Sequence, residues 1–278
     1  MLGAAATAVT IGALGAYLVL CLIFYQNQAM LIFHPARKIT ATPANANLPY
    51  TSVWFDRNPE GQPQINGWWV PAAKNAPLRQ DTILFLHGRS GSLSNTVTQI
   101  QALHYLGINV FAIDYQGFGN SAQVRPTEQL ADNDTVAAWK YLTIKKVIRP
   151  SHVLLVGQGA GAVFAVHLAA RHTVAGLVLA EISPTAHEIF EQDARARLLP
   201  LFLLAREHIN PNPELTHLKT PKLFLCWPGR SAVAQTVTRQ DYKSAATPKQ
   251  FTPLAGAAPK TIAVAVQPFL RQILRADR

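Results

Sequence analysis

The stretch Val153-Leu154-Leu155-Val156-Gly157-Gln158-Gly159-Ala160-Gly161-Ala162 has the order of a buried strand, a tight turn and the start of an Ala- and Val-rich helix. In the pattern G-x-S-x-G, a turn of that kind presents a nucleophilic serine. The serine attacks a carbonyl carbon, a histidine takes its proton, and an acid orients the histidine and stabilises its charged form. Here the frame reads Gly157-Gln158-Gly159-Ala160-Gly161, so glycine occupies the nucleophile position. The stretch favours an architecture and argues against the acyl-transfer chemistry that such a turn usually serves.

Other side chains were weighed for the same chemistry. Ser90, Ser92, Ser121 and Ser183 all fall at expected strand ends or in the loops after them. Loop serines mostly cap helices or stabilise turns, and no base is evident beside these. Ser183 is the best outsider, with Glu181 before it and His187 after it. No Cys/His/Asp/Glu spacing suggests a metal. The glycines at 157, 159 and 161 fail as a dinucleotide fingerprint, because the third glycine would fall at Ala162 or Phe164. No cofactor is expected.

The elements that must position these residues alternate. After an expected hairpin of strands near Thr51–Asp56 and Gln64–Val70, apolar runs mark strands at Thr82–Leu86, Asn109–Asp114, His152–Val156, Gly176–Ala180, Lys222–Cys226 and Gln250–Leu254. Helical patterns fall near Asn95–Leu106, Thr127–Leu142, Ala160–Arg171, Ala232–Ala245 and Thr261–Leu274, where Pro268 should interrupt or kink the last. Residues 183–221 break the rhythm with several prolines and helical pieces at Ala186–Leu199 and Leu201–His208, which reads as a cap or lid-like insertion. Eight strands alternating with helices predict an α/β fold with a mostly parallel sheet and helices on both faces.

About half of the 278 residues are hydrophobic and 14% are charged, which fits a globular α/β protein carrying an additional apolar segment. That segment is Leu2 to Tyr25, which has no charged side chain; the first is Arg37. A run of this length can cross the ~30 Å hydrocarbon core as a helix. A cleaved signal peptide is the alternative, but a basic start and a small-residue cleavage site are not clear. The expected organisation is an uncleaved single-pass anchor over 1–26, a juxtamembrane connector over 27–50, and a folded domain over 51–278. Within the connector, Met30 to Phe33 could lie at the membrane interface or pack on the domain. Arg37, Lys38 and Arg57 follow the segment and no charged side chain precedes it, which places the domain in the cytoplasm by charge bias. Cys21 and Cys226 are not expected to meet. The formal charge of +10 favours anionic partners such as a phospholipid surface. The basic residues are scattered and no nucleic-acid motif is present, so nucleic acid is not an expected partner.

Five segments in order carry a resemblance. They are Leu31-Ile32-Phe33-His34-Pro35, Gly67-Trp68-Trp69-Val70-Pro71-Ala72, Leu86-His87-Gly88 with Gly91, Asp114-Tyr115-Gln116-Gly117-Phe118-Gly119-Asn120-Ser121, and the turn at Gly159. From about Gln28 onward the chain resembles the α/β-hydrolase family. More narrowly, it is similar to the small single-pass members related to the α/β-hydrolase-domain depalmitoylases. The resemblance implies an α/β-hydrolase fold and a triad in the order Ser, Asp or Glu, His. At those positions stand Gly159, Ala232 in Pro228-Gly229-Arg230-Ser231-Ala232-Val233, and Ala258 in Ala255-Gly256-Ala257-Ala258-Pro259. No histidine occurs after His217. The resemblance also implies an oxyanion hole from the backbone N–H groups of Ala160 and Arg89, with His87 structural beside Gly88. The expectation is a pseudo-hydrolase that binds a small molecule or a protein partner in the degenerate pocket. The alternatives are a serine hydrolase acting on an ester, thioester or amide with relocated residues, and a relic with a structural role in a membrane complex.

Overall fold

The computed structural model describes residues 2–226 and 231–275. In chain order the helices and strands are α1 (Leu2–Asn27), α2 (Ala29–Ile32), β1 (His34–Pro35), β2 (Thr51–Arg57), β3 (Pro63–Val70), β4 (Leu78–Leu86), β5 (Ser90–Gly91) and α3 (Val97–His104). Then come β6 (Ile108–Asp114), α4 (Glu128–Lys140), β7 (Val153–Gln158), α5 (Ala160–Arg171) and β8 (Gly176–Ala180). The remainder is α6 (Ala186–Gln192), α7 (Leu201–Leu204), α8 (Asn212–Leu215), β9 (Lys222–Cys226), α9 (Ala232–Ser244), β10 (Lys249–Pro253) and α10 (Pro259–Arg275).

Eight strands form one sheet in the order β10-β9-β8-β7-β4-β6-β3-β2. β2 and β3 pair antiparallel, β3 runs antiparallel to β6, and the other neighbours are parallel. The parallel strands are continuous apolar runs because both faces are covered. Alternate side chains feed two separate cores, as the two-residue period of a strand requires. Leu84, Leu86, Leu155, Leu177 and Leu179 point into one, against α4, α5 and α9. Ile83, Phe85, Leu154, Val156 and Val178 point into the other, against α3 and α10. Helices cover both faces, so the α/β arrangement expected from the alternation is the one found.

Several local expectations need correction. The first helical piece of the 183–221 segment stops at Gln192, where Asp193 is extended, and the chain continues as a short 3-10 turn at Ala196–Leu198. The second piece is only Leu201–Leu204, and residues 205–211 run irregularly. The helix expected from Asn95 begins as a 3-10 turn at Leu93–Thr96. Pro268 does not interrupt α10. Proline leaves the carbonyl four residues earlier without its donor, and that residue, Val264, is exposed, so water can replace it. Within the connector, Ile32 and Phe33 are buried in the core while Met30 is exposed.

The glycine-rich turn after β6 is held from α4. Both oxygens of buried Asp134 accept from Gln116, one from the backbone N–H and one from Nε2, each at 2.7 Å. Burial pushes the Asp134 pKa up to about 7, against the pull of these two hydrogen bonds. A carboxyl whose folded pKa lies above its unfolded value of 3.8 binds more protons folded than unfolded between those values. Its contribution is therefore fully present below about pH 4 and lost as pH rises to 7. Asp134→Asn removes that slope. Relative to the parent, the variant should gain stability from pH 4 to pH 7, by about 1.4 kcal/mol per unit of pKa difference. Thermal melts of the two chains in detergent check this; parallel pH profiles would contradict it.

Candidate functional site

The site is built where β7 turns into α5. Gly159 stands alone between Gln158, the last strand residue, and Ala160, the first helical one. Its backbone is at φ 59°, ψ −124°, a conformation that strains any residue with a Cβ. Its N–H donates to the Ala180 carbonyl at 2.9 Å and its carbonyl accepts from the Ala162 N–H at 3.2 Å. The flanking glycines answer a different demand. A Cβ on Gly157 would strike the backbone of Gly161 and Ala162, and one on Gly161 would strike the Leu86 and His87 carbonyls. A Cβ on Gly159 would meet only Gly88 Cα at 3.3 Å and Ser183 Oγ at 3.4 Å. The turn thus has room for a side chain that the sequence does not supply.

Opposite this turn is the end of β4. His87 is 1% exposed, with its ring packed on Tyr115 and Phe118 at centroid distances of 4.7 and 5.1 Å. Nδ1 lies 2.7 Å from the Gly88 carbonyl. Nε2 lies 3.2 Å from Asp114 Oδ1, close enough for an ion pair but without hydrogen-bond alignment. Asp114 Oδ1 accepts instead from the Leu93 N–H at 2.9 Å. The Tyr115 hydroxyl donates to the His87 carbonyl at 3.1 Å. These contacts tie the end of β4 to the end of β6; Nδ1 is taken up by the Gly88 carbonyl, and Nε2 faces Asp114 without a hydrogen bond.

The loop after His87-Gly88 is splinted by the segment that follows the N-terminal helices. β1 pairs in parallel with β5. The His34 N–H donates to the Arg89 carbonyl at 2.9 Å, and the Ala36 N–H donates to the Gly91 carbonyl at 2.7 Å. Arg89 Nη1 reaches back to the Ile32 carbonyl at 2.9 Å, and burial pulls the guanidinium pKa down. Ala160 opens α5, so its N–H has no acceptor within the helix.

Between these parts is a cavity of about 320 Å³. His87, Gly88, Arg89, Ser90 and Gly159 line it, together with Asn95, Thr96, Gln99, Gln158, Glu181 and Ser183. Nine of these eleven residues carry a polar or charged side chain. Gln158 Nε2 donates to Glu181 Oε2 at 3.2 Å, while Gln99 Oε1 is buried without a hydrogen-bond partner. Glu181 itself is held at φ 48°. Ser183 is 7% exposed and also borders a second cavity of about 240 Å³ with Asp241 and Asn212. His187 does not serve Ser183: its Nε2 meets Glu191 Oε1 at 3.2 Å on the exposed side of α6. Among the described residues no hydrogen bond joins a serine to a histidine. His167 instead contacts Asp132 at 3.1 Å.

Ala232 is the first residue of α9, whose N-terminus is capped by Ser231. Residues 227–230, the rest of the loop in which an acid was sought, lie outside the described residues. Ala258 precedes α10 and accepts from the Ile262 N–H at 3.2 Å. Neither alanine lines the cavity. Sequence reading missed Asn95, Thr96, Gln99, Gln158 and the part of Glu181 in the lining. Only Gln158 carried a usable signal, as the residue inside the glycine frame.

The fold and the turn geometry are those of α/β hydrolases. A family model described as the alpha/beta hydrolase family matches residues 83–276, and the chain belongs to that family. An uncharacterized protein of Mycobacterium tuberculosis is 27% identical over 248 residues, covering 89% of this chain and 85% of that one. The alpha/beta hydrolase domain-containing protein 17B of Homo sapiens is 36% identical over 110 residues, covering 37% of this chain and 36% of that protein. Among solved structures, a Pyrococcus furiosus esterase superposes with a TM-score of 0.64 at 19% identity, covering 87% of this chain and 99% of that one. At that identity the likeness concerns the fold.

The three glycines predict a graded response. Gly161→Ala should destabilise by more than about 3 kcal/mol, because the obstruction is backbone that cannot give way. Gly159→Ala should cost about 1–3 kcal/mol, since only its dihedrals resist. Denaturant melts of the two variants check the order; equal losses would contradict it.

Proposed function

We propose that this chain is a membrane-anchored α/β-hydrolase-fold protein without Ser-His-Asp catalysis, acting by binding a small polar ligand or a partner's side chain in the cavity beside Gly159. One observation carries the reading. The position that would present a nucleophile holds no side chain, and the histidine in the lining, His87, is buried with Nδ1 2.7 Å from the Gly88 carbonyl and no hydrogen bond to a serine. The positions equated with the acid and the histidine, Ala232 and Ala258, have nothing to ionise. Binding asks less than catalysis. The Arg89 loop and the polar side chains of Asn95, Thr96, Gln158 and Ser183 in the lining offer hydrogen bonds without supplying a proton relay, whereas Ala160, expected in the pocket, is fully buried and outside the lining. The anchor is supported by Ala5–Asn27, whose mean hydropathy of 2.2 and length of 23 residues suit a membrane span, although a signal sequence meets the same description.

A second reading makes Ser183 the nucleophile of an ester, thioester or amide hydrolase. It is favoured by the 3.4 Å between Ser183 Oγ and the place a Gly159 side chain would occupy. It needs a base that the neighbouring hydrogen bonds do not provide.

Turnover separates the two. A working triad adds on the order of 10⁶-fold to kcat, so the distinction is not marginal. Purified full-length chain should hydrolyse short acyl esters and thioesters at the background rate. Gly159→Ser should gain nothing, because its hydroxyl would have no base. Turnover above background that disappears in Ser183→Ala would replace the first reading with the second.

A further inference from the structure

α1 does not stand apart from the folded part. The Tyr17 hydroxyl donates to the Leu198 carbonyl at 3.2 Å. Phe24 meets Phe190 edge-on at 5.2 Å. Gln28 Nε2 donates to the Leu204 carbonyl at 3.0 Å, and its Oε1 accepts from the Arg206 N–H at 2.6 Å. The 196–204 segment therefore lies along the C-terminal part of α1. It also shows water a run of large apolar side chains: Leu198 is 75% exposed, Phe202 85% and Leu203 69%.

The depth of this segment follows from helix geometry. α1 has 26 residues, and a bilayer core of ~30 Å takes about 20 of them. Every 20-residue window within Leu2–Asn27 contains Tyr17. If α1 crosses a membrane, the carbonyl bonded to Tyr17 is therefore at hydrocarbon depth, and Leu198 is with it.

We propose that the 196–204 segment is embedded in the same leaflet as the C-terminal half of α1, with bilayer acyl chains covering Leu198, Phe202 and Leu203. The proposal rests on the reading of α1 as a membrane span. The segment's backbone suits that environment, where an unpaired N–H has no water to turn to. The N–H groups of residues 197–199, 201 and 203–205 donate to carbonyls between Asp193 and Leu201, Pro200 has none to donate, and the Phe202 N–H, in the first turn of α7, is the exception without a backbone acceptor. An apolar hollow of about 390 Å³ between α1 and the segment, lined in part by Leu20, Ile23, Met30 and Leu199, is continuous with this face and takes the same lipid chains. Arg195 and Arg197 are exposed beside Leu198. Their long stems can carry the charges outward to the phosphate layer, and Arg195 is already neutralised by Asp193 at 2.9 Å.

The test is depth-dependent fluorescence on the full-length chain in phosphatidylcholine vesicles containing lipids spin-labelled along the acyl chain. Single cysteines replace Phe202, Leu203, Leu14 in α1, and Val147, which is 80% exposed on the domain. All are made in a Cys21→Ala, Cys226→Ala background, so that each carries one cysteine, and labelled with a small environment-sensitive dye. The expected result is quenching at Phe202→Cys, Leu203→Cys and Leu14→Cys and none at Val147→Cys. The two adjacent reporters guard against one substitution disturbing the segment. Quenching at Leu14→Cys without quenching at either cap position overturns the proposal and leaves the membrane span standing, as it would if a second protein copy covered the patch. Quenching at none of the three overturns both.

Discussion

Helix α5 comes down on the ends of β4 and β7 so closely that Gly161 admits no side chain against the Leu86 and His87 carbonyls. That approach determines the rest of the site. It brings the unpaired N–H groups at the start of α5 to the ends of the parallel strands, and it forces the chain through a turn at Gly159 that a residue with a Cβ could enter only under strain. In a working serine hydrolase that strain is tolerated because it presents the nucleophile. Here glycine takes the turn without strain, and a cavity lies in front of it. The close approach itself depends on backbone and on the flanking Gly157 and Gly161, not on what stands at position 159.

A second dependence links the two ends of the molecule. The loop that faces Gly159 is held by two backbone hydrogen bonds from His34 and Ala36 and by the reach of Arg89 to Ile32. Those partners come within a few residues of the end of α1, and the 196–204 segment is bonded both to α1, through Tyr17, and to Gln28 just after it. The rim of the cavity, the apolar N-terminal helix and the 196–204 segment are therefore linked by hydrogen bonds.

Most of the sheet was legible because buried parallel strands are unbroken apolar runs: Ile83–Leu86, Val110–Ile113 and Leu177–Ala180 have no other reading once helical patterns separate them. The 183–221 segment was legible only in part: the break at Pro200 was read, but the stop at Asp193 and the end of the second piece at Leu204 were not, because the local composition would allow both helices to continue. β1 and β5 were invisible, since a two-residue strand has no periodicity. Pro268 misled because a proline on a solvated helix face loses less than one facing the core. At the candidate site, the frame around Gly159 could be placed from its glycine spacing, and the loop after His87 from the resemblance to the α/β-hydrolase family. The polar lining from Asn95, Thr96 and Gln99 could not, because it comes from a helix start that faces the cavity only after β4 and α3 have packed. The contact between Arg89 and Ile32 likewise joins segments 57 residues apart and leaves no local trace.

The central claim is that the cavity beside Gly159 lacks an activated nucleophile. Intact-mass spectrometry of the full-length chain after exposure to a fluorophosphonate tests it most directly, since that reagent needs an activated serine but no matching substrate. The account predicts an unmodified mass over a time in which a serine hydrolase of known activity is fully labelled. One equivalent of adduct, mapped to a serine lining the cavity, would contradict it.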